Sequence, residues 1–532
     1  MMAGGLAAAF CVGPAVGGLA SSEQGPQATT ESGVVQGLVV PELPGGGAFL
    51  GIPYAAQPVG ALRWRAPQAA PRWTGVRAAK QWGPACPQAP SPWLPEMLGV
   101  QAMATDEACL YVNVWTPALR PRAALPVFVW VHGGGNVEGS GEWPPLGVKL
   151  AQQGVVVVSL NYRLGVFGFL TDRGLAAESE HHASGNYGHL DQIAALTWVR
   201  RNIKRFGGDP NKVTIGGESS GALDVCNLMA SPLAKGLFRG AILESGVCVD
   251  SVSPTEREEE KDGERLARDL GVAAGNVNAM RALPADRVMA AAAKDPDLDL
   301  EPNIDGWVLP QQPAAVFARG EQIRVPVLEG SNEDEITIFG SPIVGGQSSR
   351  PKTVQEYQDW LRRRMGKFAD AVFAAYPATQ DADVPRVFVR MDTDFDFGFG
   401  AWLLAEEMEQ AGQKAYLYQF TYAGAGKFAE LGAFHSEELM FLSGHYWTSW
   451  PARPEDAVLS RAVVGYWAEF VKTGDPNGAG ARGTGLPRWP AFSPGGQLQE
   501  LGRHVGPEPV PGTEKFGAFQ NRLTARLQAA AH

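Results

Sequence analysis

The stretch Val213-Thr214-Ile215-Gly216-Gly217-Glu218-Ser219-Ser220-Gly221-Ala222 narrows what this chain can fold into more than any other. Its β-branched start predicts a buried strand. That strand runs straight into G-x-S-x-G, with Ser219 at the centre. A strand that turns directly into a helix strains the residue at the turn and lifts its side chain clear of the backbone. Glycines on either side let neighbouring chain come close. The helix that follows aims unpaired N–H groups and a partial positive charge at the place where negative charge would develop. The motif alone also fits an ordinary glycine-rich turn, so its setting decides.

The setting is alternating. From about Gly37 to Val114 the segments are short, turn-rich and mostly β-like. Strands are then expected at 125–131, 154–160, 213–217, 240–244, 325–329 and 415–420, with an amphipathic helix over 191–205. Near-continuous apolar strands separated by helices imply a large, mostly parallel central sheet covered by helices on both faces, an α/β fold. Two helical stretches, near 254–293 and 353–409, read as insertions over the carboxyl edge of the sheet, where open α/β folds bind ligands. Strand-like segments resume after each, so one domain over 28–527 is expected.

Net charge is -11 and no Lys/Arg cluster relieves it, which argues against nucleic acid as a partner. No apolar run beyond the start reaches the length of a membrane span. Residues 1–20 resemble a signal peptide: a small apolar run, then Gly18-Leu19-Ala20 before polar residues. The first basic residue is Arg63, so the usual positive start is missing. Of five cysteines, four remain if Cys11 leaves with such a signal, and an even number fits an oxidising, extracytoplasmic compartment. Cys226 and Cys248 fit either a second disulfide or two buried thiols.

A serine hydroxyl needs a base within hydrogen-bond reach, and the base needs a group to orient it. In α/β hydrolases the chain order is serine, acid, histidine. His435, His445, His504 and His532 lie late enough, and His435 stands in a loop after the strand 415–420, where the base belongs. For the acid, Glu333, Asp334 and Glu335 follow the strand ending at Glu329. Spacing does not separate Asp334 from Glu335. His132-Gly133-Gly134-Gly135-Asn136 follows the strand 125–131 and offers backbone N–H groups to an oxyanion. His132 is expected to shape that loop.

With these motifs in place, the chain resembles the type-B carboxylesterases, which include cholinesterases and microbial esterases. The likeness runs through Leu62-Arg63-Trp64-Arg65-Ala66-Pro67, Glu107-Ala108-Cys109-Leu110-Tyr111-Val112-Asn113-Val114, Asn161-Tyr162-Arg163-Leu164-Gly165, Gly185-Asn186-Tyr187-Gly188 and Phe206-Gly207-Gly208-Asp209-Pro210. It implies an α/β-hydrolase fold and hydrolysis of carboxylic esters through an acyl-enzyme. In the roles it implies, Ser219 is the nucleophile, His435 the base and Glu335 the orienting acid. The N–H groups of Gly134, Gly135 and Ser220 would hold the oxyanion. It further implies a Cys86–Cys109 disulfide and structural ion pairs Arg63–Glu107 and Arg163–Asp191. No metal or organic cofactor is implied. Asn136, Ile336, Ser220 and Ala108 depart from the family pattern, and the first two bear on pocket shape.

The partner expected is a small-molecule ester. Glu218, Asn136, Phe339, Phe395, Phe397, Phe399 and Trp402 are candidate pocket residues, each of the aromatics equally compatible with plain core. Glu218 either lends negative potential to the site or is a buried, hydrogen-bonded carboxylate. A lipase would need a mobile flap, for which residues 93–98 between Cys86 and Cys109 are the candidate. A specialised esterase for bulky natural esters is another reading, and a non-catalytic binding domain a third. The last is disfavoured because serine, acid and histidine are all present.

Overall fold

The computed structural model describes residues 25–295, 297–298, 300–478 and 485–531. The signal-like segment at 1–20 lies outside the described residues. The strands in chain order are β1 (Gln27–Thr30), β2 (Gly33–Gln36), β3 (Gly47–Pro53), β4 (Val76–Ala78), β5 (Tyr111–Thr116), β6 (Leu125–Val131) and β7 (Val156–Leu160). They continue with β8 (Gly208–Glu218), β9 (Gly240–Glu244), β10 (Val327–Asn332), β11 (Ala415–Phe420), β12 (Gln497–Leu501) and β13 (Val505–Pro509). Ten of them form the main sheet, in the order β13-β12-β11-β10-β9-β8-β6-β7-β5-β3. The run from β7 to β12 is parallel. The antiparallel pairs sit at the edges, where β3, β5 and β13 are. This is the mostly parallel sheet of the α/β-hydrolase fold.

Strand side chains alternate between faces. Val127, Val129 and Val131 of β6 enter one apolar cluster, with Leu196 and Val225 from helices Tyr187–Asn202 and Ser220–Ala230. Phe128 and Trp130 of the same strand enter the cluster on the other face, with Val463, Trp467 and Phe470 of helix Pro454–Thr473. Burial on both faces is why these strands read as unbroken apolar runs.

The helices at 254–293 and 353–409 begin where their sequences allow it. Thr255 with Glu258, and Thr353 with Glu356, form reciprocal capping boxes that satisfy N–H groups left bare at a helix start. The first group packs Leu266, Met280 and Val288 against Phe167 and Leu170 as a satellite core. In the second, Val384–Thr393 leads through a π-turn at Asp394–Gly398 into Phe399–Gln410.

Two disulfides staple this frame. Cys86–Cys109 closes a loop ahead of β5, and Cys226–Cys248 ties helix Ser220–Ala230 to the segment after β9. Arg63 reaches Glu107 at 2.5 Å, and Arg163 reaches Asp191 at 2.7 Å in full burial. Among the described residues, no helix is long and apolar enough to cross a membrane.

Candidate active site

Every group of interest leaves the carboxyl end of a parallel strand. β8 ends at Glu218, and Ser219 follows with φ 56° and ψ −129° before helix Ser220–Ala230 begins. Two glycines permit the turn. A Cβ on Gly217 would sit 2.4 Å from the backbone of Gly221, and one on Gly221 would sit 2.3 Å from the Val131 carbonyl. The Ser219 N–H donates to the Glu244 carbonyl at 2.8 Å, pinning the turn to β9.

The turn after β10 separates the two acids that spacing left open. Asp334 faces away and accepts the Ala433 N–H at 3.1 Å. Glu335 is fully buried: Oε1 accepts the Asn332 N–H at 2.7 Å, and Oε2 accepts from His435 Nδ1 at 2.6 Å. His435 comes from the loop after β11, and its own N–H donates to the Glu335 carbonyl at 3.2 Å. Its Nε2 lies 3.0 Å from Glu218 Oε1. The sequence reading puts the base within hydrogen-bond reach of the Ser219 hydroxyl; in the structure Nε2 contacts the Glu218 carboxylate. Burial would lower the His435 pKa, but the Glu218 and Glu335 carboxylates outweigh it and raise it above the ordinary imidazole value. Burial raises Glu218, against the pull of His435 and a hydrogen bond from Ser436.

The glycine loop after β6 carries positive φ at Gly134 (102°) and Gly135 (63°). A Cβ on Gly133 would meet the Glu218 carbonyl at 2.6 Å, and one on Gly134 the Glu138 carbonyl at 2.3 Å. The loop is braced from behind. Ser220 Oγ accepts the Asn136 N–H at 3.1 Å, and Tyr162 donates to the His132 carbonyl at 2.9 Å. Burial lowers the His132 pKa to about 4, so its ring stays neutral, stacked on Tyr162.

Gly134, Gly135, Glu218, Ser219 and His435 share one cavity of about 310 Å³. A hydroxyl on a strained turn, an imidazole oriented by a buried carboxylate, and N–H groups beside them suit acyl transfer. The model of the carboxylesterase family matches residues 24–506. This chain belongs to the carboxylesterase family. It is a carboxylic ester hydrolase. It is 35% identical over 489 residues to a fumonisin B1 esterase of Sphingopyxis macrogoltabida, covering 90% of this chain and 86% of that one. Identity to a liver carboxylesterase of Sus scrofa is 32% over 493 residues, covering 84% and 83%. A solved PNB esterase superposes with a TM-score of 0.78 at 32% identity, covering 93% of this chain and 99% of its own. A Geobacillus stearothermophilus carboxylesterase gives 0.79 at 32%, covering 93% and 100%.

The esterase builds part of its cavity wall from the loop at 93–98, which the sequence reading offered only as a lipase flap, and part from residues it did not single out. Trp93, Leu94, Met97 and Met103 come from inside the Cys86–Cys109 loop, and Val137, Glu138 and Trp143 from beyond the glycines. The signal available was an apolar, Trp- and Met-bearing loop fixed at both ends by cysteine. Of the expected pocket residues, Phe339 lines the cavity and its ring lies 5.0 Å from that of His435. Phe397 lies 5.1 Å from His435 on a neighbouring hollow. The remaining aromatics correct the reading. Phe395, Phe399 and Trp402 turn away and pack on Phe516 and Phe519, because that side of the helix faces helix Gly517–Ala530. Asn136 is also no pocket residue: its amide donates to Asp224 at 3.1 Å and accepts from Tyr162 at 3.0 Å, in full burial.

Glu138 and Glu218 are the carboxylates on the wall, and among the described residues no Lys or Arg lines it. Burial raises the Glu138 pKa, while a hydrogen bond from Ser91 opposes the rise. Among the described residues, the one grouping of donors that suits a metal ion is Glu500, His504 and Glu508 on the β12–β13 hairpin. Both ring nitrogens of His504 already contact carboxylates there, at 2.8 and 3.1 Å.

Proposed function

We propose that Ser219, His435 and Glu335 act as the nucleophile, general base and orienting acid of this esterase. The reading is carried by the 2.6 Å bond joining buried Glu335 to His435 on the wall that also holds Ser219. Ser219 Oγ attacks the ester carbonyl as His435 Nε2 takes its proton. Glu335 fixes the ring and steadies the imidazolium. The N–H groups of Gly134, Gly135 and Ser220 receive the oxyanion, alcohol leaves with the proton from His435, and water repeats the sequence on the acyl-enzyme. For this, Nε2 must swing from Glu218 to Ser219, a tightening common when substrate enters. The test is hydrolysis of p-nitrophenyl butyrate. Ser219→Ala, shown to be folded, falls by about 10⁴–10⁶-fold; equal activity of both proteins would refute the assignment.

The apolar wall fits uncharged esters of medium size. A hollow of about 510 Å³ meets this cavity at Phe339, which favours bulkier esters as well. Phe339→Ala then raises kcat/KM for p-nitrophenyl laurate relative to the butyrate; an unchanged ratio removes the bulky reading. The two disulfides support export to an oxidising compartment. A main sheet drawing strands from Gly47 to Pro509 supports a single domain over 28–527.

A further inference from the structure

Ser436 follows His435 and holds φ at 67°. Residues with a side chain avoid this left-handed region, and such strain persists where the surroundings impose it. Here the side chain meets a carboxylate. Ser436 Oγ donates to Glu218 Oε1 at 2.5 Å, and the same oxygen lies 3.0 Å from His435 Nε2. On its other edge, His435 bonds Glu335. The imidazole is bracketed by two buried carboxylates, and the next residue in the chain restrains one of them.

We propose that Ser436 is a positioning residue that keeps Glu218 ionised and aimed at Nε2, and so sets how firmly His435 holds its proton. The inference rests on the reading of His435 as the base. A hydroxyl donating to a carboxylate favours the charged form over the neutral acid. A charged Glu218 in turn favours the imidazolium, as Glu335 does from the other side. Other titratable groups close in from each neighbouring element: Glu438 on helix Glu438–Ser443, Glu244 at the end of β9 and Tyr418 on β11. Burial pushes Glu244 up to about 8, so it is largely neutral near pH 7, and raises Glu438 well above the carboxylate range. Tyr418 is likewise held neutral by burial. Glu218 is the carboxylate whose oxygen reaches Nε2, at 3.0 Å. The charge that His435 gains from Ser219 is met on both edges, at the cost of an acidic limb displaced to higher pH.

The test is the pH dependence of kcat/KM on p-nitrophenyl butyrate, with the rate of covalent labelling of Ser219 by a fluorophosphonate as a second readout of the same limb. Glu218→Gln moves the acidic limb down by about one unit or more, and Ser436→Ala and Ser436→Gly by about half a unit. The double variant Glu218→Gln/Ser436→Ala coincides with Glu218→Gln. Glycine relieves the backbone, so agreement between the two Ser436 variants assigns the shift to the hydroxyl. A limb that stays in place or rises in Ser436→Ala, or that shifts again in the Glu218→Gln background, overturns the proposal. Failure of the triad reading shows separately, as labelling or turnover that survives Ser219→Ala.

Discussion

A non-glycine residue at φ 56° costs about 1–3 kcal/mol, and Ser219 is held there by its N–H bond to the Glu244 carbonyl and by the close packing at Gly217 and Gly221. Gly221→Ala drives a methyl into the Val131 carbonyl. The expected result is loss of more than about 4 kcal/mol or failure to fold, read by urea denaturation. Glu335→Gln keeps the shape but cannot hold the productive tautomer, so kcat falls by about 10³–10⁴-fold with little change in KM. The His435 pKa lies above its ordinary value of 6.5. As the proposed base, His435 works when neutral, so activity is lost as pH falls through that raised value. The acidic limb of kcat/KM therefore lies above 6.5. A limb at or below it would contradict the bracketing carboxylates. Glu138→Gln removes a negative charge from a wall without Lys or Arg. Esters bearing a carboxylate gain about tenfold in kcat/KM relative to neutral analogues. At this scale the placement of Ser219 on a strand-to-helix turn and of His435 in the loop after β11 was legible in the sequence. The sequence reading puts Asn136 in the pocket, because the residue that orients its amide, Asp224, lies far along the chain.

Among elements, β6, β9 and β11 carry the limits that their largely apolar runs predict, because burial of most of each strand concentrates apolar residues there. β8 starts earlier than expected, at Gly208, since pairing with Leu125 extends it through a polar stretch. β13 escaped the reading because Pro507 and Pro509 argue against a strand, yet an edge position tolerates them. The aromatics between 395 and 402 defeat pattern reading for another reason: a ring that packs on a neighbouring helix and a ring that lines a pocket look alike in one dimension. The Cys226–Cys248 staple fixes the helix behind Ser219. Replacing both cysteines by alanine should cost about 2–4 kcal/mol in unfolding experiments. Activity at room temperature should survive, because the Ser219 N–H keeps its own anchor on Glu244.

Across the whole molecule, chemistry and recognition are written on different parts of the chain. Ser219, Glu335 and His435 hang from the interior of the sheet, while the Cys86–Cys109 loop supplies Trp93, Leu94, Met97 and Met103 to the cavity wall. That loop leaves and rejoins the frame at adjacent points, 5.0 Å apart at the Cα atoms of its cysteines. Within it, Gln88 trades two hydrogen bonds of 2.8 Å with Gly139 and Glu96 pairs with Lys427, while Trp93, Leu94, Met97 and Met103 face the cavity. Selection for a new ester can act on the wall residues of this one short segment, provided that the ties Gln88 and Glu96 make to the rest of the frame are kept.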